Sequence, residues 1–385
     1  MEREKNEQQN YAIVLLLMLL AAISLLSIYS ATDTWHYVIL QTFWYFISVI
    51  VIIILMKFDA EVLWKIAPLT YLIGILCLIA VLFFGVTIGG AKRWLNFGIM
   101  NFQTSEVMKI AFILMLSRCV TQHNFKNIKR TIQTDLRLLS KIVALSIPPV
   151  VFIMLQPDLG TTIVFLAIIS GITLLSGISW KLLLPLFSTF VGIITALFYF
   201  ILFNRPVLYR FGFHSYQFDR VDVWLEPYKD ISGDSYQTIQ SMKAIGSGQI
   251  TGKGLGISEV HVPENHTDFI FTAIGENFGF IGGGILLLIY FLLIYRLVVT
   301  CFLTRSEFYT YIVTGVLMLI CFHIFENIGM TIGILPVTGI PLPFISYGGS
   351  SLMGNMAAVG LVLSMNKHNR EYVFSTNHKK WHFLT

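Results

Sequence analysis

YAIVLLLMLLAAISLLSIYS, residues 11–30, runs for twenty positions without a charged side chain. At 1.5 Å of rise per residue such a run spans about 30 Å as a helix, the hydrocarbon thickness of a bilayer. It follows a charged start, as a secretory signal would. No small-residue cleavage site closes it, however, and a second apolar run begins at once, so it reads as a first transmembrane helix. Runs of this kind recur along the chain, at roughly 11–30, 37–56, 66–86, 104–121, 138–155, 160–177, 182–203, 269–295, 308–330 and 347–365. The expected architecture is an all-α polytopic membrane protein of about ten transmembrane helices.

Composition supports that reading. Of 385 residues, 56% are hydrophobic and 12% are charged. Soluble domains carry about 25% charged residues, so a water-exposed surface of ordinary extent is excluded. The net charge of +5 is modest, and no basic tract interleaved with aromatics suggests nucleic-acid binding. Cys77, Cys119, Cys301 and Cys321 are scattered without paired or metal-ligand spacing, which predicts neither disulfides nor a zinc site.

Lysines and arginines in the short connections set the orientation. Arg3, Lys5, Lys57, Lys65, Lys126, Lys129, Arg130, Arg137, Lys181, Arg296, Arg305 and the tail (Lys367, Arg370, Lys379, Lys380) fall on one side if the spans alternate. That side is then cytoplasmic and holds both termini, with residues 366–385 a cytoplasmic tail. Lys92 and Arg93 are the exception on the opposite face. The connection 204–267, between helices 7 and 8, is a long polar and aromatic extracellular loop, and such loops are where function concentrates. The whole chain, 1–385, reads as one transmembrane domain.

Four places carry ionisable or irregular features against the membrane, where they are costly and therefore informative. In QTSEVMK (Gln103–Lys109), Glu106 and Lys109 at i, i+3 share a helical face; they are equally readable as a structural ion pair or as a functional one. In GGAKRWLNFG (Gly89–Gly98), two cations beside Trp94 breach the charge rule. They suit an anionic head group, with an aromatic interface anchor as the alternative. If the helix after VPENHTDFIFTAIGENFGF (Val262–Phe280) begins near Thr267, then Asp268, Thr272 and Glu276 line one face. Otherwise Thr267 or Asp268 merely caps it. GILPVTGIPLPFISYGGSS (Gly333–Ser351) cannot be continuous helix, and irregular backbone at membrane depth must be buried in protein or line a cavity. His323 and Asn327, one turn apart, either face that cavity or pack helices together. GSGQITGKG (Gly246–Gly254) has the wrong spacing for a nucleotide phosphate loop, so a nucleotide-activated donor is not expected.

Taken together, GAKRW (Gly90–Trp94), QTSEVMK, QPDLGT (Gln156–Thr161), AIGSGQITGKGLG (Ala244–Gly256), HTDFIF (His266–Phe271), IGENFGFIG (Ile274–Gly282) and LPVTGIPLPFISYGGSS resemble the SEDS family, which includes RodA, FtsW and SpoVE. The short tails and the outer loop are most similar to its RodA members. The family usually has proline where this chain has Thr104, a departure that leaves the Glu106–Lys109 pairing intact. The resemblance implies a ten-helix peptidoglycan polymerase acting on lipid II at the outer face during wall elongation. It implies Asp268 as the catalytic residue and a class B penicillin-binding protein, a transpeptidase, as partner. The substrate-binding set expected from the motifs is Lys92, Arg93, Trp94, Glu106, Lys109, His266, Glu276, Ser346 and Tyr347.

The chemistry fits these residues. A diphosphate leaves without a proton, so one base on the acceptor 4-hydroxyl suffices, where a glycoside hydrolase needs two carboxylates. Cations are needed opposite the departing group, and Lys92, Arg93 and Lys109 are the candidates. A divalent cation, Mg2+ or Mn2+, is compatible with that step, although the sequence offers no protein cage for one. Two other readings stay open. A lipid II flippase also suits ten spans and intramembrane charges, but it should spread polar residues through both leaflets rather than gather them toward the outer half. A non-catalytic scaffold would explain the outer loop and leave Asp268 without a purpose.

Overall fold

The computed structural model describes residues 2–88, 91–96, 98, 101–210, 215–229, 235–303 and 306–373. Arg305, Lys379 and Lys380 of the basic set, and Gly89 and Gly90 of the cationic loop, lie outside the described residues.

In chain order the elements are α1 (Glu2–Thr32), α2 (Trp35–Leu55), α3 (Ala60–Phe84), β1 (Val86–Ile88), β2 (Ala91–Asn96), β3 (Asn101–Gln103), α4 (Thr104–Lys126), α5 (Ile132–Met154), α6 (Leu159–Leu175) and α7 (Trp180–Phe203). There follow α8 (Arg205–Arg210), α9 (Ser215–Leu225), α10 (Tyr236–Ser247), α11 (Ile270–Leu303), α12 (Glu307–Thr331) and α13 (Gly349–Val373). Among the described residues seven helices, α1, α2, α3, α5, α7, α11 and α12, are long and apolar enough to cross a membrane.

The other three expected spans are α4, α6 and α13: α6 is apolar but only 17 residues long, and the polarity of α4 and α13 has a structural reason. Glu106, Lys109, Ser117 and Thr121 on α4, Thr161 and Thr162 on α6, and Asn355, Ser364 and Asn366 on α13 are all buried. These helices sit inside the bundle, α4 against α3 and α12, α6 against α12, and α13 against α2. A helix wrapped by other helices can carry polar side chains that lipid would not accept. By contrast α7 buries only Leu183 and meets the rest of the protein chiefly at α5 and α8, so its surface is left to lipid.

Two features go beyond a purely helical reading. The strands β1, β2 and β3 form a small antiparallel sheet in that order. Its register runs Thr87 to Lys92 and then Val86 to Trp94, so Arg93 is the extra residue of a bulge. The connection 204–267 is likewise no simple loop. It holds α8, α9 and α10, and α10 packs on α11.

Helix α11 begins at Ile270, later than the sequence suggests, so Asp268 precedes it and does not share a helical face with Thr272 and Glu276. It also breaks at Gly279, where φ is 64° and only glycine sits without strain. The glycine-rich stretch of residues 249–254 lies against this break and satisfies it. Phe280 N donates to Gln249 O at 2.9 Å, Ile281 N to Ile250 O at 3.1 Å, and Lys253 N to Glu276 O at 3.0 Å. The stretch that superficially suggests a phosphate loop is a plug for broken helix.

The segment 333–348 is irregular, as its prolines require, and its carbonyls are answered by side chains of the surrounding helices. Asn327 donates to Ile340 O at 2.8 Å, Tyr290 to Pro343 O at 2.5 Å, Ser24 to Ile345 O at 2.7 Å and Gln41 to Ser346 O at 3.2 Å, while Tyr45 bonds Phe344 O. Irregular backbone survives at membrane depth only when its polar groups are met in this way.

Candidate active site

Asp268 lies in the turns between the outer segment and α11, half-buried. Its backbone carbonyl accepts from Asn327 Nδ2 at 2.6 Å. Its carboxylate faces Gly339 of the irregular segment. Among the described residues that carboxylate accepts no hydrogen bond. Burial, seconded by the negative charges of Glu264 and Asp158, pushes its pKa up to about 7, against the pull of Arg93 and Arg220. A carboxyl with no partner and a pKa near neutrality can take or give a proton at physiological pH, which an ordinary surface aspartate cannot.

Arg93 reaches this neighbourhood because of the bulge. Its guanidinium lies 3.5 Å from Asp158 Oδ1, and its Nε is buried without a hydrogen-bond partner. Asp158 itself caps α6, accepting from Thr161 N at 3.1 Å and Thr161 Oγ1 at 2.9 Å, and from Gln103 at 3.3 Å. A second cation arrives from the outer segment. Arg220 on α9 donates to Val337 O at 3.0 Å, and Trp224 one turn on donates to Ile334 O at 3.1 Å, so α9 is fastened along residues 334–337.

Beside α12 lies the buried pair expected from spacing. Lys109 Nζ stands 2.8 Å from Glu106 Oε2, with both side chains almost wholly out of solvent, and 3.3 Å from His323 Nε2. His323 and Asn327 occupy one face of α12 at i, i+4, so that face meets the ion pair with one residue and the Asp268 carbonyl with the other.

His266 and Tyr347 come together with Tyr37. Ring centroids are 4.8 Å apart for Tyr37 and His266 and 5.2 Å for Tyr37 and Tyr347, and Tyr347 N donates to His266 O at 2.9 Å. Burial lowers the His266 pKa below the ordinary imidazole value, against the opposing pull of Glu264. Trp94 is half-buried at the centre of the sheet, paired with Val86 and Gln103.

Three expected substrate contacts are engaged elsewhere. Lys92 Nζ donates to Leu82 O at 2.8 Å and Phe83 O at 3.1 Å, which places its charge on the C-terminal carbonyls of α3. Glu276 Oε1 accepts from Lys253 Nζ at 2.9 Å, Glu259 N at 3.0 Å and Val260 N at 3.3 Å, anchoring the glycine-rich plug. Ser346 Oγ accepts from Leu342 N at 2.7 Å and closes a turn of the irregular segment. Sequence reasoning had no signal for Tyr37 or for the partnership of Arg93 with Asp158, and it placed Arg220 in the outer loop without revealing its target. The motif QPDLGT contained Asp158 without revealing its target. Among the described residues no group of three or more His, Cys, Asp or Glu side chains is arranged to hold a metal ion.

Comparison with known proteins bears on this geometry. The profile of the FtsW, RodA and SpoVE family, described as cell cycle protein, matches residues 8–371. Peptidoglycan glycosyltransferase MrdB of Escherichia coli K12 is 37% identical over 84% of this chain and 84% of its own. Stage V sporulation protein E of Bacillus subtilis is 31% identical over 95% of this chain and 99% of its own. Among solved structures, a chain from a peptidoglycan synthase complex coordinating polymerization and crosslinking superposes with a TM-score of 0.78. It is 26% identical, with 93% of this chain and 98% of that one covered. The rod shape determining protein RodA of Thermus thermophilus gives a TM-score of 0.68 at 26% identity, with 93% of this chain and 97% of that one covered. The chain is a multi-pass membrane protein and belongs to the FtsW/RodA/SpoVE family.

Proposed function

We propose that this protein is a peptidoglycan glycosyltransferase that polymerises lipid II into β-1,4-linked glycan strands at the outer face of the cytoplasmic membrane, in wall elongation. The observation that carries the reading is Asp268: a half-buried carboxyl with a pKa pushed to about 7 and no hydrogen-bond partner among the described residues. In this role it takes the proton from the acceptor 4-hydroxyl as that oxygen attacks the anomeric carbon of the donor. The C–O bond to the diphosphate breaks as the new glycosidic bond forms, and the α-linked donor becomes a β-linkage by one inversion.

Arg93, aimed by Asp158, meets the charge that develops on the departing diphosphate. Lys109 is already neutralised by Glu106, so it offers ammonium donors to the substrate more than net charge. His266 and Tyr347 supply aromatic faces for a sugar ring. The outer segment 204–267 and both cytoplasmic termini follow from the distribution of lysine and arginine. A class B penicillin-binding protein is the partner this reading requires for crosslinking, and membrane lipid surrounds the bundle.

The test is polymerisation of purified lipid II by the wild-type protein and by Asp268→Asn, each alone and with a class B partner. Glycan strands from the wild type and none from folded Asp268→Asn are expected. Polymer made by the variant at the wild-type rate would overturn the assignment of the base. No polymer from either protein, with lipid II crossing vesicles instead, would overturn the enzyme reading in favour of transport.

A further inference from the structure

Asn327 is fully buried in α12 and spends both N–H bonds of its amide on backbone carbonyls. One goes to Asp268 O at 2.6 Å and the other to Ile340 O at 2.8 Å. These acceptors belong to separate parts of the chain. The first is the carbonyl of the aspartate itself. The second belongs to the neighbour of Gly339, the residue whose bare α-carbon faces the Asp268 carboxylate. A single planar amide therefore fixes both sides of the slot in which that carboxylate sits.

The other side chains that serve this irregular segment do something different. Tyr290, Tyr45, Ser24 and Gln41 answer carbonyls between residues 343 and 346, Arg220 and Trp224 answer Val337 O and Ile334 O, and none of those bonds reaches residue 268. Polar side chains in membrane helices commonly hold helices together, and that role would end at Ile340 O. The second bond goes instead to the backbone of the residue whose carboxylate accepts no hydrogen bond among the described residues. The geometry points to Asn327 as a positioning residue that holds Asp268 in register with the reacting hydroxyl. The inference rests on the reading of Asp268 as the base.

Asparagine is suited to the task because its NH2 group presents two donors in one plane. Aspartate has no N–H, and leucine has the shape without the donors. Without the tether, residues 266–269 keep the backbone bonds of Tyr347 N to His266 O and of Thr267 N and Phe269 N to Glu264 O, but lose the link from α12 to Asp268 itself. The carboxylate can then drift out of its slot toward water. Displacement of about 1 Å from a reactive geometry can lower a rate about 100-fold. Water reaching the carboxylate also relaxes the burial that raises its pKa. The charged groups that face it, Glu264, Asp158, Arg93 and Arg220, then decide the remainder.

The experiment measures polymerisation of purified lipid II across pH by the full chain, with a class B partner present throughout. The proteins are wild type, Asn327→Leu, Asn327→Ser and Asp268→Asn, with the folded fraction of each determined by size-exclusion chromatography. The expected result is a fall in kcat of about 30-fold or more per folded molecule in both Asn327 variants, with KM within about threefold of wild type. The acid limb of the rate profile is expected to move down by about one pH unit as the carboxylate becomes hydrated. If the leucine variant does not fold, Asn327→Ser supplies the test, since small polar residues are well tolerated between membrane helices. Wild-type kcat and an unmoved acid limb in a folded Asn327 variant, beside an inactive Asp268→Asn, overturn the inference and leave the base assignment standing. Impaired Asn327 variants beside a fully active Asp268→Asn overturn both, since Asn327 then acts on something other than a catalytic aspartate.

Discussion

Gly339 presents its α-carbon to Asp268 so closely that a Cβ built there would stand 3.2 Å from Asp268 Oδ2. Its φ of +75° adds a second demand for glycine, since a side chain in that region costs about 1–2 kcal/mol. On that side the half-buried carboxylate, which accepts no hydrogen bond among the described residues, faces a glycine α-carbon. Gly339→Ala should fold, because the neighbouring carbonyls remain held by Asn327 and Tyr290. It should lose about tenfold or more in kcat as the carboxylate is pushed aside. Polymerisation by the purified variant at the wild-type kcat would show that the slot does not set the position of the base.

The pKa of Asp268 makes two pH statements of opposite sense. The ionised form is the base, so the rate should climb as pH rises through about 7, and an ordinary exposed aspartate would have finished titrating near 4. Stability should run the other way. A carboxyl whose pKa is higher folded than unfolded favours folding most while it is protonated, and that contribution is lost as pH rises toward and through 7. Asp268→Asn should therefore be inactive yet more resistant to heat than the wild type at pH 8, by at least about 1 kcal/mol, with the gap closing near pH 4. Thermal unfolding of both proteins at the two pH values tests this, and a variant no more stable than wild type at pH 8 would contradict the burial account.

Glu106 and Lys109 are buried together at 2.8 Å, which leaves open whether the pair serves the fold or the substrate. The two roles separate in a double variant. Removing one partner strands a charge inside the bundle and should cost about 3–5 kcal/mol, so Glu106→Gln and Lys109→Met should each express poorly. Removing both should recover most of the stability, because the desolvation of two charges is relieved at once. If the pair only holds α4 in place, the double variant polymerises normally. The prediction is a folded double variant with less than about a tenth of wild-type activity, because Lys109 also touches His323 on the face of α12 that reaches Asp268.

The fold was legible because a bilayer imposes a local rule: about twenty apolar residues for every crossing. Even α4, which carries Glu106, Lys109 and Arg118, was readable as a span from its place between charged connections. The Glu106–Lys109 contact was equally legible, since i, i+3 spacing is itself geometry. What stayed hidden depends on contacts distant in the chain. Nothing around Glu276 announces that Lys253, a glycine-rich stretch away, takes its carboxylate. Nothing around Asn327 announces a carbonyl at residue 268, although its turn-mate His323 marked the face as polar. The sheet was missed because its strands are three to six residues long, below the length at which alternation declares itself.

Lys92 and Arg93 show how much that short sheet matters. As neighbours in GAKRW they look like one cationic patch, and both were natural partners for a diphosphate. The bulge separates them. Lys92 turns back to the carbonyls of Leu82 and Phe83, while Arg93 turns to Asp158 near Asp268. A lysine on a helix C-terminus contributes about 0.3–1 kcal/mol, so Lys92→Met should lower thermal stability slightly and leave kcat/KM for lipid II within about twofold. Arg93→Gln removes the charge opposite the leaving group and should lower kcat about 100-fold, as loss of a preorganised donor does. Asp158→Asn keeps the guanidinium and loosens its aim, and the cap of α6 weakens with it, so an intermediate loss of about tenfold is expected. Steady-state rates for the three variants decide the matter by their order. If Lys92→Met falls as far as Arg93→Gln, the two cations share the substrate, and the division of roles made by the bulge is wrong.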